Sequence, residues 1–296
     1  MRRNRFIRSS PRALLLFLPF LVLAAYAAQQ GNAGSSQDAT VTLTYQFPEG
    51  KTLSYRTTNT STQSIEIMGQ AMTTQSLSTL EFSAKAKGSK EGQYTLGVTV
   101  DGFKASVQTP QGDMSPDTSA IPGKSFDMIL SSLGKEIDVK GASALQYGSA
   151  SGEQRDLSTG FQTFFPDLPD HPVKIGDTWP SEETVVQKTG GGEIRLVLKH
   201  VNTLDGFETV DGVECARIKA TTQGTLTGSM EQGGMGLSLD GKIVGTGTWY
   251  FATKEGVLVK SDTKASVEVS VSAGDPMNAT FPLTEEETSE TRLLKK

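Results

Sequence analysis

From Ala39 to the end of the chain, apolar residues recur mostly at every second position. "VTLTYQF" sets Val41, Leu43, Tyr45 and Phe47 against threonines and Gln46, and "TLEFSAKAK" sets Leu80, Phe82, Ala84 and Ala86 against Glu81, Ser83, Lys85 and Lys87. The same alternation returns in "QYTLGVTV", "EIRLVLKH", "KIVGTGTWYF" and "KASVEVSVS". A period of two with one apolar and one wet face predicts strands of antiparallel sheet. Asp-Gly at 101–102, 205–206, 211–212 and 240–241 predicts tight hairpin turns, because both central positions of such a turn need positive φ. Lys90-Glu91-Gly92 and Lys254-Glu255-Gly256 predict slightly longer ones.

Two stretches break the period. In "KSFDMILSSLGKEIDV", Phe126, Ile129, Leu130 and Leu133 fall at i, i+3, i+4 and i+7, with Ser125 as a cap and Gly134 as a stop. That spacing predicts a short amphipathic helix, followed by a short strand at "KEIDVKG". A second helix is predicted in "EQRDLSTGFQTFF", with Leu157, Phe161, Phe164 and Phe165 on one face and Pro166 ending it. The expected fold is therefore mainly β: two related antiparallel β-rich halves, forming a curved sheet or an open barrel, with one or two short helices in the connecting segment. The divisions fall at 1–27 (signal peptide), 28–39 (polar leader), 40–116 (first half), 117–170 (connecting segment) and 171–296 (second half). Gly50 precedes Tyr55, and Gly176 precedes Trp179, at the head of each half. An ancient duplication and the chance likeness of two β meanders both account for this.

The first residues change the picture of where the chain goes. Five arginines precede an apolar run from Ala13 to about Ala25, and Ala25-Tyr26-Ala27 fits the small-x-small cleavage rule. The run is short for a span of ~20 residues and Pro19 interrupts it, so cleavage rather than anchoring is expected. Arg2-Arg3 also fits twin-arginine export. Cys215 is the one cysteine, which leaves neither a lipid-anchoring thiol near the cleavage point nor an internal disulfide. Without the five signal arginines the chain holds 23 basic and 33 acidic residues, a formal charge of about −10. Such a balance argues against nucleic acid, which is bound through basic patches. The expected location is exported, either periplasmic or extracellular, with no stable membrane anchor after cleavage.

The order "GKSFDMILSSLGKEIDVKG", "FQTFFPDLPDHPVKIGDTW" and "GTGTWYFATKEGVLVKSD" resembles the DUF6263 type of uncharacterised exported bacterial proteins, with "PVKIGDTW" as the sharpest element. The resemblance implies export and a β-rich fold over most of the mature chain. It implies no catalytic residues.

Candidate chemistry is sparse. His171 and His200 lie 29 residues apart, without the local ligand pairs of a zinc site, and Asp167, Asp170 and His171 read as turn chemistry around prolines. "GSASG" places Ala150 where a nucleophile elbow needs serine, and "TGGGEIR" lacks the Lys-Ser/Thr of a phosphate loop. Cys215 in "VECARIK" reads as a buried small hydrophobe, with Arg217 nearby as the feature that would favour reactivity. No catalytic residue, metal ligand or cofactor is expected. The expected function is that of a non-enzymatic envelope protein holding a lipid or other apolar ligand, or meeting an envelope protein. Phe126, Ile129, Leu130, Leu133, Phe161, Phe164 and Phe165 are the expected groove, and core filling is the competing account of the same residues. A structural or adhesive surface module is the alternative, and a hydrolase a third reading.

Overall fold

The alternating segments become very long strands. The computed structural model describes residues 39–296 except 68, 149–153, 190, 233, 276 and 295–296, so the signal peptide and all but the last residue of the leader lie outside the described residues. The first half builds β1 (Thr52–Ile67), β2 (Gln70–Lys90), β3 (Gln93–Thr109) and the two-residue β4 (Gly112–Asp113). The second half builds β9 (Thr178–Thr189), β10 (Gly192–Val210), β11 (Val213–Gln232), β12 (Met235–Ala252), β13 (Val257–Ala273) and β14 (Ala279–Leu294). The 20 residues of β11 span about 65 Å at the usual rise.

Between the halves lie β5 (Ser125–Ser131), β6 (Glu136–Asp138), a 3-10 turn at Lys140–Ala144, a separate ribbon of β7 (Gln146–Gly148) with β8 (Gln154–Asp156), and the five-residue α1 (Ser158–Gln162). The main sheet has 12 strands and runs β6-β5-β3-β2-β1-β14-β13-β12-β11-β10-β9, with β4 paired to β3. Every pairing in it is antiparallel. It curls into a half-barrel. The first and last long strands, β1 and β14, pair over twelve positions and join the halves at the centre of the sheet.

The helix predicted over 125–134 is a strand. β5 pairs with β3 from Gln93↔Ser131 to Thr99↔Ser125. Phe126, Met128 and Leu130 are buried, and Ile129 turns to the other face. The stretch satisfies both periods, and the unpaired backbone of β3 decides between them, because a strand there satisfies its open hydrogen-bonding edge. The helix in 154–165 shrinks to α1. Gly134 is not a helix stop but the turn between β5 and β6, at φ +99°.

Of the four Asp-Gly pairs, Asp211-Gly212 alone turns a hairpin, with φ +50° and +82°. Asp101 and Asp205 are the extra residues of β-bulges in β3 and β10, and Asp240-Gly241 runs straight through β12. Glu91-Gly92 makes the two-residue turn between β2 and β3, and 253–256 turns β12 into β13. The Met- and Gly-rich stretch 229–239 is the tip of the β11–β12 hairpin. Residues 41–47 alternate in burial as expected but form no full strand. They cross the sheet as an extended strap, bridging Val41 to Val173, Tyr45 N–H to Ser132 O (2.8 Å) and Gln46 N–H to Gly256 O (2.8 Å).

The inner face carries two apolar layers. One is aromatic, built on Tyr55, Phe82 and Phe251 and covered by the strap and the connecting segment. Bulges in β2, β3, β10 and β13 lie at this end and increase the local curl. The other is aliphatic, built on Leu196, Leu226, Leu239, Val269, Val271 and Leu283. At that end β11 leans so close to β10 that a Cβ on Gly228 would lie 2.3 Å from the Glu193 carbonyl oxygen.

Candidate functional site

The residues expected to line a groove are mostly gathered at the aromatic end. Phe161 meets Phe82 and Phe126 at ring-centroid distances of 5.2 and 4.9 Å, and Phe164 meets Phe82 and Phe165 at 4.8 Å each. Phe165 meets Tyr45 edge-on at 5.4 Å. Leu130 is fully buried in the same cluster, Leu133 packs against it, and Ile129 stands apart on the opposite face. These rings close one end of the half-barrel. Trp179 locks the closure to the sheet, its Nε1–H donating to the Asp167 carbonyl at 3.0 Å.

Between the two apolar layers the inner face turns polar. Strand register sets out this waist rung by rung. One rung runs Asn202–Ala220–Gly247–Thr263–Ser289–Asn59–Ser78 from β10 across to β2. The next runs His200–Thr222–Gly245–Ala265–Glu287–Ser61–Ser76, and the one beyond brings Glu285 beside Gln63 and Thr74. Glu285 and Glu287 are 4% and 1% exposed. Gln63 Nε2 donates to Glu285 Oε2 at 3.5 Å. Among the described residues, Asn59 Oδ1, Thr263 Oγ1, Ser289 Oγ and His200 Nε2 are buried and have no hydrogen-bond partner. Buried polar atoms are ordinarily paired, and each orphan costs about 1–3 kcal/mol. The waist is also shallow in side chain: Gly245, Gly247, Ala220 and Ala265 stand where neighbouring rungs carry Ile243, Trp249, Ile218 and Val267.

At the β9–β10 margin of the waist, titratable groups converge. His200 Nδ1 lies 2.8 Å from Thr222 Oγ1, and Nε2 lies 3.8 Å from Glu183 Oε2. Burial, then the charge of Glu183, pushes the Asp167 carboxyl up to about 6. The same two causes, in the same order, raise Glu136 well above the usual carboxylate range, while its Oε1 accepts the Phe165 N–H at 2.8 Å. Asp167 therefore binds its proton more tightly folded than unfolded, and stability falls as pH rises from about 4 through about 6. Urea melts across that window should show a loss on the order of 1 kcal/mol after allowing for solvent screening. Asp167→Asn should flatten the slope, and an identical slope in both proteins would sink the assignment.

His171 is exposed, with Nδ1 2.8 Å from Asp170 Oδ1. Cys215 is buried, and burial pushes its thiol up to about 11. Arg217 is tied instead to Asp205 (2.7 Å) and Glu208 (2.8 Å). Among the described residues, no three His, Cys, Asp or Glu side chains are grouped to hold a metal. Ala150 of "GSASG" lies outside the described residues. The waist escaped the sequence reading because its residues come from seven strands. The one local signal was the weakened alternation of "TTNTSTQ" and "EEETSE", where both faces are polar.

The fold and site define a curled antiparallel half-barrel with a buried polar waist. No protein-family model matches the chain, and no curated protein matches it. Solved structures that overlap it include an exported protein with a YMCC-like fold from Bacteroides fragilis NCTC 9343, at 11% identity and TM-score 0.27, covering 86% of this chain and 100% of that one. Another is the COG4313 outer membrane channel from Pseudomonas putida F1, at 11% identity and TM-score 0.25, covering 84% and 97%. A third is a DUF1329 family protein from Desulfovibrio piger ATCC 29098, at 12% identity and TM-score 0.15, covering 80% and 85%.

Proposed function

We propose that this is an exported, non-catalytic envelope protein that holds an amphipathic molecule along the inner face of its half-barrel. The observation that carries the reading is the waist: buried polar atoms without partners, set between an aromatic and an aliphatic layer. A molecule with apolar ends and a polar middle would meet all three. Export rests on the arginine-rich start, the apolar run and the Ala-Tyr-Ala site, and the motif order that resembles the DUF6263 type fits the same location. The outer face of the sheet speaks against a membrane-spanning barrel. On β13 it carries Lys260, Asp262, Lys264, Ser266, Glu268, Ser270 and Ser272, where such a barrel presents an apolar band to lipid. With its thiol buried and held protonated at neutral pH, Cys215 is a poor nucleophile.

Native mass spectrometry of the mature protein, purified from its own envelope and extracted with organic solvent, tests the reading. A co-purifying amphiphile and saturable binding of the neutral dye Nile red are expected. A protein that carries nothing and takes up no dye would overturn it.

A further inference from the structure

We propose that the junction of Glu136, Asp167 and Glu183 is a pH-dependent latch: with its carboxyls protonated it holds residues 164–168 against the sheet margin, and ionised it favours their release, opening the aromatic end while the sheet stays folded. Such a latch is independent of what the inner face holds. Two kinds of observation carry it.

The first is how the closing segment is held. Between α1 and β9 the chain forms no helix or strand beyond the bridge of Val173 to Val41. Residues 165–168 hang on hydrogen bonds from the β5–β6 turn, β6, the strap and β9. Phe165 N–H donates to Glu136 Oε1 at 2.8 Å, and Leu168 N–H donates to Leu133 O at 2.7 Å. The Tyr45 hydroxyl donates to Pro166 O at 3.2 Å, and Trp179 Nε1–H donates to Asp167 O at 3.0 Å. Phe164 and Phe165 enter the aromatic cluster from this stretch, so its release uncovers that end of the half-barrel. A segment outside the strand ladders can open without the sheet.

The second is the set of charges that meet there. Glu183 on β9 faces both Glu136 on β6 and Asp167 in the closing segment, and all three are half-buried. The other groups that face them are Lys135 in the β5–β6 turn and His200 on β10, which offset charge on Asp167, and the Tyr45 hydroxyl on the strap. Lys135 is exposed, and His200 Nε2 lies 3.8 Å from Glu183 Oε2. Three carboxylates gathered in this way repel one another once all are ionised. Burial first, and the Glu183 charge second, make Glu136 and Asp167 hold their protons above the usual carboxylate range, Asp167 up to about 6. The Phe165 N–H favours the ionised form of Glu136, but it is the smaller influence. Release returns both carboxyls to water, so the closed arrangement is fully favoured below about pH 4 and weakens as pH rises through about 6.

Hydrogen exchange of the mature protein, corrected for the intrinsic pH dependence of amide exchange, is the test. From pH 4.5 to 7.5 the protection of the Phe165 and Leu168 amides should fall about tenfold, after allowing for solvent screening. Dilute urea should leave that exchange unchanged while it speeds the amides of the β1–β14 seam, which open only with the whole sheet. Glu183→Gln removes the repelling charge and should shrink the fall to about threefold. Glu136→Gln keeps an oxygen for the Phe165 N–H and should shrink it likewise. The pH series on the unmodified protein stands even where a variant fails to fold. Protection that does not change with pH, or that urea removes together with that of the seam, would overturn the latch. So would the full tenfold fall retained in both variants, which would assign the response to His200 instead.

Discussion

Replacing Trp179 by alanine should cost about 3–5 kcal/mol, the usual range for removing a large buried aromatic. The indole is 4% exposed and begins the edge strand β9. It belongs to the aromatic core, and its Nε1–H reaches back to the Asp167 carbonyl in the segment that closes the end of the half-barrel. The Trp179 carbonyl in turn lies 3.4 Å from Asn202 Nδ2, which also reaches Ser181 Oγ at 3.1 Å. One side chain therefore ties the connecting segment to the sheet margin. Trp179→Phe keeps most of the apolar area but loses the donor, and should cost about 1–2 kcal/mol. Urea unfolding of both variants separates the two contributions. A Trp179→Ala loss below about 1 kcal/mol would mean that the closure is held elsewhere.

Gly134→Ala should destabilise by about 2–5 kcal/mol, combining backbone strain with crowding. At φ +99° an L side chain is strained, and a Cβ there would lie 2.4 Å from the Pro166 carbonyl oxygen and 2.8 Å from Tyr45 Cε2. The oxygen is backbone and cannot swing aside. Pro166 O also accepts the Tyr45 hydroxyl at 3.2 Å, and Leu168 N–H donates to Leu133 O at 2.7 Å. Three segments thus meet at one glycine: the β5–β6 turn, the strap and the chain leading to Trp179. Gly50→Ala is the control, because φ is +79° there but a Cβ meets nothing within 4 Å. It should cost only about 1 kcal/mol, the price of the left-handed backbone. Equal losses in the two variants, read by thermal melts, would mean that crowding at Gly134 is relieved by movement of the neighbours.

The strands were legible because one-sided burial writes itself into alternation, as in Val267, Val269 and Val271 against Ser266, Glu268 and Ser270. What failed was what depends on neighbours in space. Phe126 to Leu133 fits a helix as well as a strand, and only the edge of β3 settles it. Asp-Gly signals a turn when flanking strands end there, yet in β3 and β10 the strands continue and the extra residue becomes a bulge. The turn chemistry around the prolines near Asp167 and His171 was legible, and in the structure Val173 and Trp179 beyond it are buried while His171 faces solvent. The waist was not visible. A serine or glutamate at an inward position looks, in one dimension, like a lapse in the pattern. It becomes a feature only when β1, β13 and β14 stack their lapses at one level.

The pairing of β1 with β14 also constrains how the molecule comes together. Ser54 faces Leu294 across the ladder, about 240 residues away along the chain, so the central seam of the sheet cannot form until the last strand is available. Contacts of such separation make folding slow. During that wait β1 is left with one unpaired edge, the condition in which strands recruit the wrong partners. Its middle reads "TTNTSTQ", low in apolar content where a sticky strand would be rich in it. The same residues that give the mature protein its polar waist therefore keep the waiting strand from aggregating before its partner arrives.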